Sequence, residues 1–145
     1  MKRIAAVLVG VAVVIQFVPA ARTNPPVTAP LYAPAAVVEV LRRSCYDCHS
    51  NEVRWPWYSK VAPVSWLIVN DVREARAELN FSTWGDLSAA KQADLREECY
   101  EEVSEGKMPL WFYTPLHPEA KLTEADLALL RGWSGSTNGA GAERD

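Results

Sequence analysis

An all-α fold is what this sequence predicts, on three observations. Apolar residues recur at three- and four-residue steps in four separate segments, no segment sustains the alternation of a half-buried strand, and the connecting stretches hold the prolines and most of the tryptophans. With 145 residues, 49% of them hydrophobic, the chain fills one core of ordinary domain size, and no internal repeat divides it.

The first element is apolar. Met1-Lys2-Arg3 opens the chain and is followed by a run from Ile4 to Val18 interrupted only by Gln16. A positive start before such a run is an export signal, and the small residues of Val18-Pro19-Ala20 suit a signal peptidase. The run is nevertheless long for a signal core and slightly short of the ~20 residues of a relaxed membrane span. Residues 1–21 are therefore read as a signal peptide or a membrane anchor, forming an N-terminal hydrophobic helix, and membrane association would run through residues 4–20 if they are kept. With Lys2 and Arg3 held inside, the remainder faces the periplasm or the cell exterior. Residues 22–34, from Asn24-Pro25-Pro26 to Pro34, are dense in proline and predict an extended spacer that holds the domain off the membrane.

The domain proper is expected over 35–133. Val37, Leu41 and Cys45 recur at four-residue steps, so a helix starting near Pro34 delivers Cys45 on its buried face. Val64, Ile68, Val72, Ala75 and Leu79 mark a second helix, with Asp71, Arg73, Glu74, Arg76 and Glu78 largely on its other faces. Leu95, Cys99 and Val103 mark a third. The last begins at Thr123, whose hydroxyl caps the first turn with Asp126 at the capping-box position, a place that prefers Glu or Gln. Leu127, Leu130 and Trp133 form its apolar stripe. Residues 134–145 lack any large apolar side chain and are expected to be a flexible tail.

Cys45-Tyr46-Asp47-Cys48-His49 lies between the first two of these helices and has the CxxCH form of a covalent c-type haem attachment site. Thiols three residues apart share a helical face, so both can form thioethers with one edge of a porphyrin, while His49 reaches the iron from the proximal side. Export agrees with this reading, because bacteria attach haem outside the cytoplasmic membrane. One covalent haem c per chain is the cofactor expected.

The distal ligand then decides function, since an open position binds small molecules and a second strong ligand favours electron transfer. Met108 lies in Glu105-Gly106-Lys107-Met108-Pro109, where Gly106 permits a turn and Pro109 fixes the backbone beside the sulfur. It is the favoured distal ligand, with a core-filling role as its alternative. His117, between Pro115 and Pro118 in the same long loop, is the other candidate. Arg54-Trp55-Pro56-Trp57-Tyr58 and Trp111-Phe112-Tyr113 are candidate pocket walls: Trp55, Trp57 and Trp111 would exclude water, and Arg54 would pair with a haem propionate.

Other readings are weighed against this one. Cys99 makes the cysteine count odd and fits a buried small hydrophobe, yet Cys45, Cys48, Cys99 and a histidine would also make a Cys₃His zinc site. A thioredoxin-like role fails for want of a βαβ context. The formal charge is -3 with signs dispersed, so no basic stripe marks a nucleic-acid binder. Without Lys2 and Arg3, 13 basic residues face 18 acidic ones, giving -5 for the exported part. Glu97, Glu98, Glu101, Glu102 and Glu105 read as a solvated helix face, with a partner-docking patch as the alternative.

On these residues the chain resembles a bacterial family of small haem-binding, cytochrome c-like domains. The likeness runs through Arg22-Thr23-Asn24-Pro25-Pro26-Val27, Ser44-Cys45-Tyr46-Asp47-Cys48-His49-Ser50-Asn51 and Trp55-Pro56-Trp57-Tyr58. It continues through Ala62-Pro63-Val64-Ser65-Trp66, Leu79-Asn80-Phe81-Ser82-Thr83-Trp84, Gly106-Lys107-Met108-Pro109 and His117-Pro118-Glu119-Ala120. The resemblance implies a small cytochrome c-like helical domain wrapped around one covalent haem at Cys45 and Cys48, with His49 proximal and Met108 distal. The function expected is a periplasmic monohaem electron carrier serving redox partner proteins at the membrane, with no catalytic residue of its own. The alternative is a haem-based ligand-binding, sensing or peroxidase-like module with an open distal site.

Overall fold

The computed structural model describes residues 1–135 and is helical, with no strand among them. The expected tail from 134 lies almost wholly outside the described residues. Helix α1 is Lys2–Val14, α2 Ala35–Ser44, α3 the single turn Tyr46–His49, α4 Val64–Glu78, α5 Ala89–Ser104 and α6 Glu124–Ser134. Single 3₁₀ turns punctuate the connections at Ile15–Phe17, Trp57–Lys60, Trp84–Asp86 and Pro118–Ala120.

The core forms where the predicted stripes meet. Leu41 of α2, Leu95 and Val103 of α5 and Leu130 of α6 are buried together with Tyr46, Phe81 and Trp84. The rings stack in series: Tyr46 on Phe81 at 5.1 Å between centroids, Phe81 on Trp84 at 6.0 Å, and Trp84 against Trp133 at 5.9 Å. Each such aromatic or leucine, fully buried, contributes roughly 1.5–3 kcal/mol of transfer free energy. The α4 stripe enters this interior only partway along the helix: Val72 is buried, but Val64 at the first turn is exposed.

Helix ends follow their local chemistry. Ser88 caps α5 by accepting from the Lys91 N–H. At α6 the capping box forms as predicted, Thr123 Oγ1 accepting from Asp126 N–H at 3.2 Å while Asp126 Oδ2 accepts from Thr123 N–H at 2.8 Å. Asp126 also pairs with Arg43 of α2 at 2.8 Å, so one carboxylate caps α6 and ties it to its neighbour.

Two N-terminal expectations change. The apolar run is α-helical only to Val14, with one 3₁₀ turn after it, and the 13 α-helical residues rise about 20 Å against the ~30 Å of a bilayer's hydrocarbon. Among the described residues no helix is long and apolar enough to cross a membrane, which corrects the transmembrane form of the anchor reading. Just past the end of α1, Gln16 bonds Ala12 O of that helix at 2.9 Å and both backbone groups of Ala62, at 3.1 and 3.0 Å, tying the helix to the domain.

Residues 22–34 are extended as expected but do not stand free. Thr28 and Ala29 N–H donate to Ser82 O, Leu31 N–H donates to Phe81 O, and Leu31 enters the core. Arg76 of α4 donates to Thr23 O, and Asn51 donates to Pro26 O at 2.9 Å. The segment expected as a spacer is a strap along the domain. Gly85 lets it lie close, since a Cβ there would meet Ala29 Cβ at 3.2 Å, and Gly85 N–H donates to Ala29 O.

Candidate functional site

Cys45 closes α2 and starts α3. Its backbone leaves the helical region at φ -126°, and its carbonyl then accepts from both Cys48 and His49 N–H, so the two thiols and the imidazole share one tight corner. Phe81 N–H donates to His49 O at 2.8 Å and fixes that corner against the core. The ring of His49 is oriented from a different element: its Nδ1 lies 3.0 Å from Ala75 O and 3.2 Å from Leu79 O, at the C-terminal end of α4.

Both partners of Nδ1 are carbonyls, so Nδ1 carries the proton and Nε2 keeps its lone pair. Burial lowers the His49 pKa below the ordinary histidine value against the opposing pull of the Leu79 and Ala75 carbonyls, which favours the neutral ring. A neutral imidazole held by its rear N–H is the form that ligates a metal.

The corner opens onto a cavity of about 560 Å³. Leu41, Phe81, Leu95, Val103 and Leu130 make its apolar wall, joined by Cys45, Cys48, His49 and the third cysteine, Cys99. All three cysteines are free thiols, and burial pushes Cys45 to about 12, Cys48 to about 11 and Cys99 to about 12. They are neutral at physiological pH.

Met108 reaches the cavity through the way α5 ends. Gly106, at φ +71°, occupies the left-handed position, with Gly106 N–H donating to Val103 O and Lys107 N–H to Glu102 O. This is a Schellman turn, which only glycine adopts without strain. Met108 N–H also donates to Glu102 O, and the side chain packs against the core while lining the cavity with Pro109, Leu110 and Tyr113.

A family model described as a haem-binding domain matches residues 10–136. The chain belongs to the haem-binding domain family. The match takes in the strap as well as the helical bundle. No curated protein and no solved structure matched.

The cavity of this haem-binding domain suits the group its family binds. It offers an apolar wall, two thiols, an imidazole Nε2 and a thioether sulfur, the donor types of haem ligation. One feature runs the other way: Asp47, Asp71, Glu74, Glu78, Glu98, Glu101 and Glu102 line the cavity and no Lys or Arg does. The wall therefore offers no cation to the carboxylates of a porphyrin, only hydroxyls such as the buried, unpartnered one of Ser44.

Several predicted site residues are not brought to the cavity. Arg54 is exposed, does not line the cavity and pairs with the cavity residue Asp47 at 3.4 Å. Trp57 and Trp111 are 75% and 82% exposed, and Trp55 is half-buried with its indole N–H buried and unpartnered, so none of the three walls the haem-binding cavity. His117 does not line the cavity, and both its ring nitrogens have partners: Nε2 lies 2.6 Å from the Tyr58 hydroxyl and Nδ1 3.3 Å from Glu119. Its ring stacks on Tyr113 at 4.1 Å, behind the cavity wall.

The Cys₃His zinc reading also falls, since no group of three or more His, Cys, Asp or Glu among the described residues is placed to hold a metal ion.

Of the Trp111-Phe112-Tyr113 cluster expected as a pocket wall, Tyr113 is the member that lines the cavity, though the partner of its hydroxyl was not foreseen. Its hydroxyl donates to Asp47 Oδ2 at 3.0 Å, so the loop after Met108 is latched to the residue between the two cysteines. Phe81 was unassigned. Its signal was only its place in a segment shared with the family.

Proposed function

We propose that this domain holds one haem c covalently through Cys45 and Cys48, with His49 proximal and Met108 distal, and transfers single electrons on the periplasmic side of a bacterial inner membrane. The observation that carries this is His49: its Nδ1–H is held by the last carbonyls of α4, on the same cavity as both thiols and the methionine sulfur. Bound there, haem supplies a one-electron iron couple.

The chain's own residues do the rest. Each thiol adds across a vinyl C=C, sulfur bonding one carbon and hydrogen the other, with no net oxidation. Neutral thiols in an apolar wall suit that addition better than disulfide exchange. The carbonyl bonds on Nδ1 raise the donor strength of the imidazole, and the soft thioether of Met108 favours the reduced iron. Leu41, Phe81, Leu95 and Leu130 keep water from the ring, which lowers the reorganisation needed on electron transfer. Residues 4–20 attach the chain to a lipid surface, in keeping with an apolar helix that has no buried side chain.

A pyridine haemochrome spectrum with intact mass tests the assignment. Two thioethers and one haem per chain are expected, and haem that is extracted by acid acetone would overturn it. Carbon monoxide is the second arm: stoichiometric binding to the reduced native protein would transfer the domain to the ligand-binding class.

A further inference from the structure

We infer that the end of the domain carrying Trp57, Val61, Val64 and Leu67 is a second lipid contact, a platform seated in the headgroup region beside α1. This rests on the proposal that residues 4–20 attach the chain to a membrane.

The first observation is apolar exposure at one end of the fold. Trp57 and Leu67 are 75% and 64% exposed, and Val61 and Val64 lie between them. Val64 and Leu67 share a face of α4's first turn, and the Trp57–Lys60 turn packs against that helix. Large apolar groups gathered on a surface mark a contact, and tryptophan favours the membrane interface.

The second observation says what covers them. The α1 helix carries exposed Ile4, Val7, Leu8, Val11 and Val14 and buries nothing, so its surroundings must be apolar. Its base is fastened to this same end of the domain: Gln16 makes two bonds with Ala62, Trp66 Nε1 donates to Val18 O at 3.4 Å, and Arg22 donates to Ser59 O at 3.0 Å. A lipid surface that receives α1 therefore meets the platform.

Charge agrees. No Asp or Glu occurs in residues 1–38 or 53–70, whereas Lys60 stands exposed on the platform and Arg22 beside it, the arrangement that an anionic headgroup layer attracts. From there α4 runs away from the membrane. Its 15 residues place Leu79, and so His49, about 22 Å beyond the platform. The rigid helix does the work expected of the proline spacer.

The test uses the full haem-loaded chain on vesicles of phosphatidylethanolamine and phosphatidylglycerol that contain a phospholipid with a diazirine high on its acyl chain. After flotation and illumination, mass spectrometry should find crosslinks in α1 and in residues 57–67, with few in α5. The double variant Trp57→Ser/Leu67→Gln should cut the 57–67 crosslinks by about threefold or more while leaving those in α1 and the haem spectrum unchanged. Crosslinks confined to residues 1–18 would overturn the platform and leave the α1 attachment standing. Equal labelling of α5 and residues 57–67 would overturn the orientation. Failure to float would overturn the attachment and the platform together.

Discussion

At the scale of single residues, the site depends on which atom of each side chain is already engaged. His49 has spent Nδ1 on α4 and keeps Nε2 for the cavity, whereas both nitrogens of His117 are taken by Tyr58 and Glu119. Met108 is the remaining donor across the cavity. Met108→Ala should abolish the sulfur-to-iron charge-transfer band, admit carbon monoxide to the reduced protein and lower the midpoint potential on the order of 100 mV. Absorption spectra and a potentiometric titration check it; an unchanged spectrum would return Met108 to a packing role. The CxxCH corner and the loop that brings Met108 to the cavity were readable in the sequence because a motif and a glycine-proline turn mark them. The anchoring of Nδ1 was not readable, since its acceptors lie 26 and 30 residues away and any carbonyl can serve.

Elements were more legible where the signal is local. Thr123 and Asp126 announced the start of α6, and the stripe from Val64 to Leu79 announced α4. Proline density announced an extended strap but could not say that Ser82 and Phe81 would receive it. Two predictions belong here. Gly106→Ala should cost about 1–2 kcal/mol in a urea titration, because an L side chain at φ +71° is strained, and should loosen Met108 enough to weaken its spectral band. The α6 cap should be acid-sensitive. Burial tends to raise the Asp126 pKa, but the Thr123 backbone bond and then Arg43 hold it below the usual carboxylate value. A depressed folded pKa means stability present above the unfolded value near ~4 and lost as pH falls through the folded one. The difference in urea midpoint between wild type and Asp126→Asn should therefore be present at pH 6 and shrink as the pH is taken down through the carboxylate's depressed folded pKa.

Across the whole molecule, charge is sorted by end. The N-terminal 38 residues and residues 53–70 are free of acids, while seven carboxylates gather at the cavity. Composition gave only the near-neutral sum, because sorting by end is a property of the fold. Negative charge near the iron stabilises its oxidised form. Asp71→Asn/Glu98→Gln should raise the midpoint potential by on the order of 20 mV per charge, equivalent to about 0.5 kcal/mol each, and the gain should shrink as salt is added. The same carboxylates would speed association with a cationic redox partner, and stopped-flow rates that fall steeply with salt would show it.

The hydrogen bond from Tyr113 to Asp47 makes the enclosure a clasp. Its hinge is the corner that carries Cys45 and Cys48, and its latch is one charge-assisted bond worth about 1.5–3 kcal/mol. By that measure roughly one molecule in ten to one in a hundred stands unlatched at any instant. A closed iron site would thus be sampled from outside through a single door, and the door is fastened to the very segment that carries the thiols.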